Sequence, residues 1–324
     1  MPEPSPTPKR RGRLLRFGAA FVVLLALAGY LAVQYLTGTG APRCRVVSGK
    51  GDGASYEFTP EQAVNAATIS AVGTTRGMPE RAVTIALATA LQESGLRNIE
   101  HGDRDSLGLF QQRPSQGWGT EKQIMDPTYA AGVFYEHLAK VPHYTGLPLT
   151  VAAQRVQRSG YPEAYAKHES DAALLAAALT GRAAATLTCE GRPAPSGTPG
   201  SDAVRAALVR DFGRDVLQTA SAEVNAERPS PSPTATATAT ATAKSAGDAV
   251  TVPVPRKSTA SGTVRERGWE LAHWAVANSS ALHIAHVSYA GREWSRGGSA
   301  NEWRTTGGTD GKASASVVRI VPGK

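Results

Sequence analysis

Between Pro79 and Ser94 the chain reads Glu-Arg-Ala-Val-Thr-Ile-Ala-Leu-Ala-Thr-Ala-Leu-Gln-Glu-Ser, in which Val83, Ile85, Ala86, Leu87, Ala90 and Leu91 leave little polar surface. A helix that is apolar nearly all round cannot face water on any side and must be ringed by other elements. The segment therefore predicts a multi-helix domain with this helix at its centre. Its one acidic residue near the C-terminal end, Glu93, then falls at the edge of a core. Burial raises a carboxyl pKa, and a raised pKa lets the group donate a proton at neutral pH.

The flanking sequence supplies the ring. Pro42–Ser55 reads as a loop into the domain. Thr59-Pro60-Glu61-Gln62 is a helix start, with a Thr cap, Pro at the first helical position and Gln closing a capping box. That helix runs to about Arg76 and stops at Gly77. Asn98–Gly119 is a loop rich in Gly, Asp and Gln. Asp126-Pro127 caps a helix through about Ala139, Thr150 starts a short one, and Pro162 starts an Ala-rich one that ends at Gly181. Five or so helices result, with almost no strand signal between Cys44 and Cys189.

Further along, Ser201–Ala226 is amphipathic, with Val204, Leu208, Phe212, Val216 and Leu217 on one stripe. Residues 228–247 open on Pro-Ser-Pro and continue as Thr-Ala repeats. Such a tract cannot bury enough apolar surface to fold, so a disordered linker is expected, open to glycosylation. Beyond it, Ala249–Pro253, Ile284–Tyr289 and Ser314–Val321 alternate as strands and Gly268–Leu282 is helical. Residues 249–324 thus read as a small α+β module. It carries Trp269, Trp274, Trp294 and Trp303, four of the five tryptophans, which read as core residues before a binding platform.

Phe17–Leu36 is an apolar run of the length a helix needs to cross a bilayer, about 20 residues. Lys9, Arg10, Arg11, Arg13 and Arg16 precede it against Glu3 alone, so half of the net charge of +8 lies in residues 1–16. The expectation is a cytoplasmic basic tail (1–16), a transmembrane anchor in the lipid bilayer (17–36) and the bulk of the chain outside the cell; a cleaved signal peptide is the alternative. The remaining charge is too dilute for a nucleic-acid footprint. The only two cysteines, Cys44 and Cys189, are expected to pair in an oxidising compartment and to mark the ends of a domain spanning 42–190.

Residues 80–180 resemble the lysozyme-like superfamily, in its soluble lytic transglycosylase and goose-type lysozyme branch. Gln92-Glu93-Ser94-Gly95 resembles the family's Glu-Ser pair at the end of a core helix. Ser106-Leu-Gly108-Leu-Phe-Gln111 resembles the Gly-Leu-Met-Gln segment that lines its glycan groove. Ala152–Gly160 stands where the family has Ala-Tyr-Asn-Ala-Gly, but with Gln154 and Gln157 in place of the Tyr-Asn pair. The resemblance implies a peptidoglycan glycan strand as partner, Glu93 as general acid and base, and no cofactor. Substrate contacts are then expected from Ser94, Gly108, Gln111, Gln112, Trp118 and Gln157. A transglycosylase needs one carboxyl, because the sugar's own 6-hydroxyl attacks and leaves an anhydro product; a hydrolase needs a second, for which Asp103 and Asp105 are the candidates.

The expected fold is a mainly α, lysozyme-like domain after one transmembrane helix, then a disordered linker and the α+β module. The expected function is that of a membrane-anchored peptidoglycan-cleaving enzyme, with an inactive wall-binding or scaffolding protein of the same fold as the alternative. Glu93 paired with Arg97 is the plain structural reading of that residue. No metal site is expected: His283 and His286 point to opposite faces of a strand, and the other histidines lack ligand spacing. The C-terminal module resembles a small domain of secreted actinobacterial proteins. Their last strand often bears an Asp-His-Val-His-like run, whereas Ser314–Val321 has no histidine, so an accessory role is expected of the module.

Overall fold

The computed structural model describes residues 24–25, 28–29, 43–158, 162–190, 200–217, 249–254, 262–297, 302–306 and 315–323. The basic tail, the tract 228–247, residues 218–226 of the amphipathic stretch, and Ser159 and Gly160 lie outside the described residues. Contacts divide the chain into Met1–Pro42 and one compact unit, Arg43–Lys324.

The expectation of a transmembrane helix over 17–36, and of a single-pass membrane protein with it, is corrected. Among the described residues no helix is long and apolar enough to cross a membrane.

The compact unit is built on two helices that follow the capping signals closely. Helix α1 (Pro60–Thr75) starts at the Thr59–Gln62 capping box, and α2 (Glu80–Ser94) is buried continuously from Ala82 to Leu91. Gly95, at φ 63°, caps α2 in the left-handed conformation that glycine adopts without penalty. Two amides of α1 grip this end: Gln62 Nε2 donates to the Gly95 carbonyl and Asn65 Nδ2 to that of Leu96, both at 2.8 Å. The last turn of α2, which carries Glu93, is therefore held rigidly.

The short α3 (Glu121–Ile124) packs on α4 (Pro127–Ala139), and α4, α5 (Leu149–Gln157) and α6 (Glu169–Leu179) pack around α2. The expected continuous helix from Pro162 to Gly181 is instead a 3₁₀ segment, Pro162–His168, followed by α6.

The near absence of strands in this half is also corrected. Strands β1 (Cys44–Val47), β2 (Ser55–Phe58) and β3 (Leu187–Cys189) form an antiparallel sheet in the order β2-β1-β3. Three or four residues are too few for alternation to register in sequence. Cys44 and Cys189 are direct cross-strand partners and form a disulfide.

The C-terminal residues form a five-stranded antiparallel sheet ordered β4-β8-β5-β6-β7. Its strands are β4 (Val250–Pro253), β5 (Ile284–Tyr289), β6 (Arg292–Ser295), β7 (Arg304–Thr305) and β8 (Val317–Pro322), with helix α8 (Val264–Ala277) against it. The other side of α8 packs on α1, α6 and β3, so the module shares a core with the helical domain. Trp269, Trp274 and Trp294 are fully buried there, in agreement with a core role.

Three buried polar side chains, Asp211, Glu270 and His273, fasten this junction, each with partners. Asp211, in α7 (Ser201–Phe212), accepts from Trp274 Nε1 at 2.7 Å and Thr68 Oγ1 at 3.3 Å, and pairs with Arg210. Glu270 accepts from Thr74 Oγ1 and pairs with Arg267 at 2.8 Å. His273, wholly buried, has its pKa pushed down to about 4 by desolvation. It is therefore neutral: Nδ1–H donates to the Ala178 carbonyl at 2.7 Å and Nε2 accepts from the Thr186 amide at 3.3 Å.

Gly181 sits at a close approach of the two halves. Its φ is +80°, and an added Cβ would overlap the Glu266 carbonyl and the Glu270 amide nitrogen at 2.8 Å. Gly181→Ala is expected to lower stability by at least about 1–3 kcal/mol through overpacking alone. A denaturant midpoint unchanged from the wild type would show that the junction yields easily.

Candidate active site

Glu93 opens into a groove of about 910 Å³ whose walls come from the loop 103–118, the C-terminal end of α4 and the last turn of α5. The loop is closed by reciprocal backbone hydrogen bonds between Leu107 and Gln112 at 2.9 and 3.0 Å. Gly108, at φ +74°, lets it lie against α3: an added Cβ would come within 2.8 Å of the Ile124 carbonyl. Phe110 then stacks on Phe134 in the core at 4.6 Å. The same loop is stapled to both neighbouring helices. Ser94 Oγ donates to the Leu109 carbonyl at 2.8 Å, and Gln157 Nε2 donates to that of Phe110 at 2.7 Å.

The carboxyl of Glu93 is half-buried, and its Oε1 accepts a hydrogen bond at 2.7 Å from the hydroxyl of the fully buried Tyr165. Desolvation is the largest influence and raises its pKa above the ordinary glutamate value; hydrogen bonding by Tyr165 and Gln157 partly offsets this. Among the described residues Glu93 makes no ion pair. Arg97, the plain structural partner, instead donates through Nε to the Ser94 carbonyl at 3.3 Å. A carboxyl that is partly dry, held in one orientation and free of a cation is suited to hold and release a proton.

The remaining expected residues divide by position. Asp103 is exposed on the groove wall. Asp105 is turned to its own loop, where Ser115, through its hydroxyl and its amide (2.9 Å), and then Arg113 Nε (2.7 Å) hold its carboxyl far below the usual range. Each of its oxygens already accepts a hydrogen bond and the lowered pKa makes it a weak base, so it is poorly placed to activate water. Ser94 is buried by its staple to Leu109 and positions the helix end. Gln111, at φ 49°, turns its Nε2 onto the Gly108 carbonyl at 3.3 Å, and Gln112 gives its Nε2 to the Ala130 carbonyl at 3.0 Å. Both amides therefore support the wall they also line. Trp118 is half-exposed in the groove and stacks on His137 with ring centroids 4.2 Å apart. Burial, with the nearby Lys140 and Arg158 and against Glu136, lowers the pKa of His137 below the usual imidazole value. The pair presents an aromatic surface to the groove.

Tyr165 and His137 escape sequence reasoning. The first lies 72 residues from Glu93 inside an Ala-rich stretch, and the second shows its role only once α4 brings it beneath Trp118. Gln157, from the weakest of the three motifs, does lie beside Glu93.

The family described as the VldE C-terminal domain matches residues 211–317 of this chain. That span is about a third of the chain and lies outside the groove. It begins at Asp211, the residue that binds Trp274, so the end of α7 belongs structurally with the C-terminal sheet. A search of curated proteins found no match.

Proposed function

We propose that this chain cleaves the glycan strands of peptidoglycan, with Glu93 as general acid and then base. The observation that carries this is the Glu93 carboxyl: its pKa is raised by burial, Tyr165 fixes it, and it opens into a groove with an aromatic wall. The resemblance of Gln92–Gly95 and Ser106–Gln111 to the lytic transglycosylase and goose-type lysozyme branch points the same way. Glu93 protonates the glycosidic oxygen as the bond to C1 breaks. With Asp105 engaged by Arg113, attack by the sugar's own 6-hydroxyl is favoured over attack by water. That hydroxyl bonds to C1 and returns its proton to Glu93, leaving an anhydro sugar and regenerating the acid without consuming water.

The test is to incubate the purified chain with wall sacculi and weigh the products. Anhydro muropeptides that disappear with Glu93→Gln are expected. Reducing-end products would move the mechanism to hydrolysis with Asp103. Retention on sacculi with no products at all would overturn catalysis and leave a binding protein.

Tyr165→Phe provides a second test of the same carboxyl. The lost hydrogen bond favoured the ionised form, so the native pKa of Glu93 rises further. The high-pH limb of the rate profile, where the acid is lost, is expected to move upward. The loss in rate stays below the roughly 10²–10⁴-fold of removing the acid itself. An unmoved limb would separate Tyr165 from the chemistry.

A further inference from the structure

We propose that the groove selects an acidic glycan, one whose sugars carry carboxylate or phosphate substituents, and that Arg104, Lys140, Arg155 and Arg158 hold those anions. The inference rests on the glycan reading above and adds the charge of the strand to it. The groove is lined by five cationic side chains, Arg113 included, against the two carboxylates Glu93 and Asp103. Arg113 is taken by Asp105, but among the described residues the other four make no ion pair. Outside the groove Arg43, Arg76, Arg81, Arg182, Arg210 and Arg267 each have a carboxylate within 3.2 Å, while other exposed arginines stand singly; the groove differs in gathering four such cations in one concavity.

Four unmatched cations converging on one concavity repel each other unless an anion arrives. Their field is felt locally, since Lys140 and Arg158 both help to lower the pKa of His137. The ends of α4 and α5 explain why Lys140 and Arg155 are tolerated, because helix C-termini favour cations. They do not explain Arg104, which comes from a loop on the opposite wall. Arg104 and Arg158 moreover stand at φ 58° and 53°, where glycine or asparagine is the easier residue. All four are exposed, so they are free to fork onto carboxylate or phosphate oxygens. The Trp118–His137 aromatic surface lines the same groove.

The experiment measures sedimentation of the full chain, as wild type and as Glu93→Gln, with three strands. These are native wall glycan, the same glycan with its carboxylates converted to methylamides, and the same glycan stripped of phosphate polymers by acid. Weaker binding to either treated strand supports the proposal and identifies the anion. The double variant Arg155→Gln/Arg158→Gln is expected to weaken binding to native strands roughly tenfold and to flatten the salt dependence. Equal affinity for all three strands, insensitive to salt, would overturn the proposal, as would a double variant that loses affinity equally for charged and neutralised strands. Binding is read in Glu93→Gln as well, so charge selectivity stands or falls separately from cleavage.

Discussion

Glu93→Gln is expected to lower the rate of glycan cleavage by about 10²–10⁴-fold while leaving the protein as stable as the wild type or more so. Both parts follow from the same burial. The amide keeps an oxygen for the Tyr165 hydroxyl but cannot give up a proton. A carboxyl whose native pKa is raised holds its proton more tightly folded than unfolded, so it opposes folding once pH exceeds the unfolded value, about 4.3. At low pH the carboxyl is neutral in both states. The stability gap in favour of Glu93→Gln should therefore open as pH rises above the unfolded value and level off once pH has passed the raised native pKa. Parallel thermal scans between pH 4 and 8 measure it. A variant that is less stable at neutral pH would mean that the native carboxylate has a favourable partner, and the proton-donor reading would lose its physical basis.

Removing the Cys44–Cys189 disulfide should have the largest effect on stability. The bridge spans a sequence separation of 145 residues. Chain entropy places its contribution at up to about 5 kcal/mol, comparable with the whole stability of a marginal domain, roughly 5–15 kcal/mol. The loss would not be confined to the small sheet. Strand β3 carries the Leu187 carbonyl that accepts from Trp303 Nε1 at 2.9 Å, and the neighbouring Thr186 amide donates to His273. Releasing Cys189 thus loosens contacts with the C-terminal sheet as well. Reduction, or Cys44→Ser with Cys189→Ser, is expected to lower Tm by about 10 °C or more. A shift of a degree or two would show that the bridge does little to restrict the unfolded chain.

Much of the helical half is legible in sequence because its start signals are local. The Thr59–Gln62 capping box, Pro127 after Asp126 and Gly95 after Ser94 each act over three or four residues. The all-round apolar pattern of α2 requires burial wherever it occurs. Position of Glu93 at a core edge follows from those facts alone. What is not legible depends on distant partners. Strands β1 and β3 exist because Cys44 faces Cys189 across the sheet, and neither has enough residues to show a period. Glu270, His273 and Trp274 read as the interior of a separate module, yet they complete hydrogen bonds to Thr74, Ala178 and Asp211. In sequence a helix buried on two sides looks the same whether its second neighbour belongs to its own module or to another. The apolar run at 17–36 shows the reverse error: composition satisfied the length rule, and no helix of that extent is found among the described residues.

The groove repeats this division. Glu93, Gln111, Gln112 and Trp118 could be named from local pattern. The roles of the two aspartates could not, because Asp105 is decided by Arg113 and Ser115. The same holds for Ser94, whose hydroxyl serves the Leu109 carbonyl.

The most direct measurement is the titration of the Glu93 carboxyl itself, by carbon-13 NMR of glutamate-labelled protein with Glu93→Gln to assign the resonance. The account predicts a carboxyl carbon that titrates above the ordinary glutamate range, and higher again in Tyr165→Phe. A resonance that titrates at or below that range would contradict it, because a side chain already ionised at neutral pH has no proton to give the departing sugar.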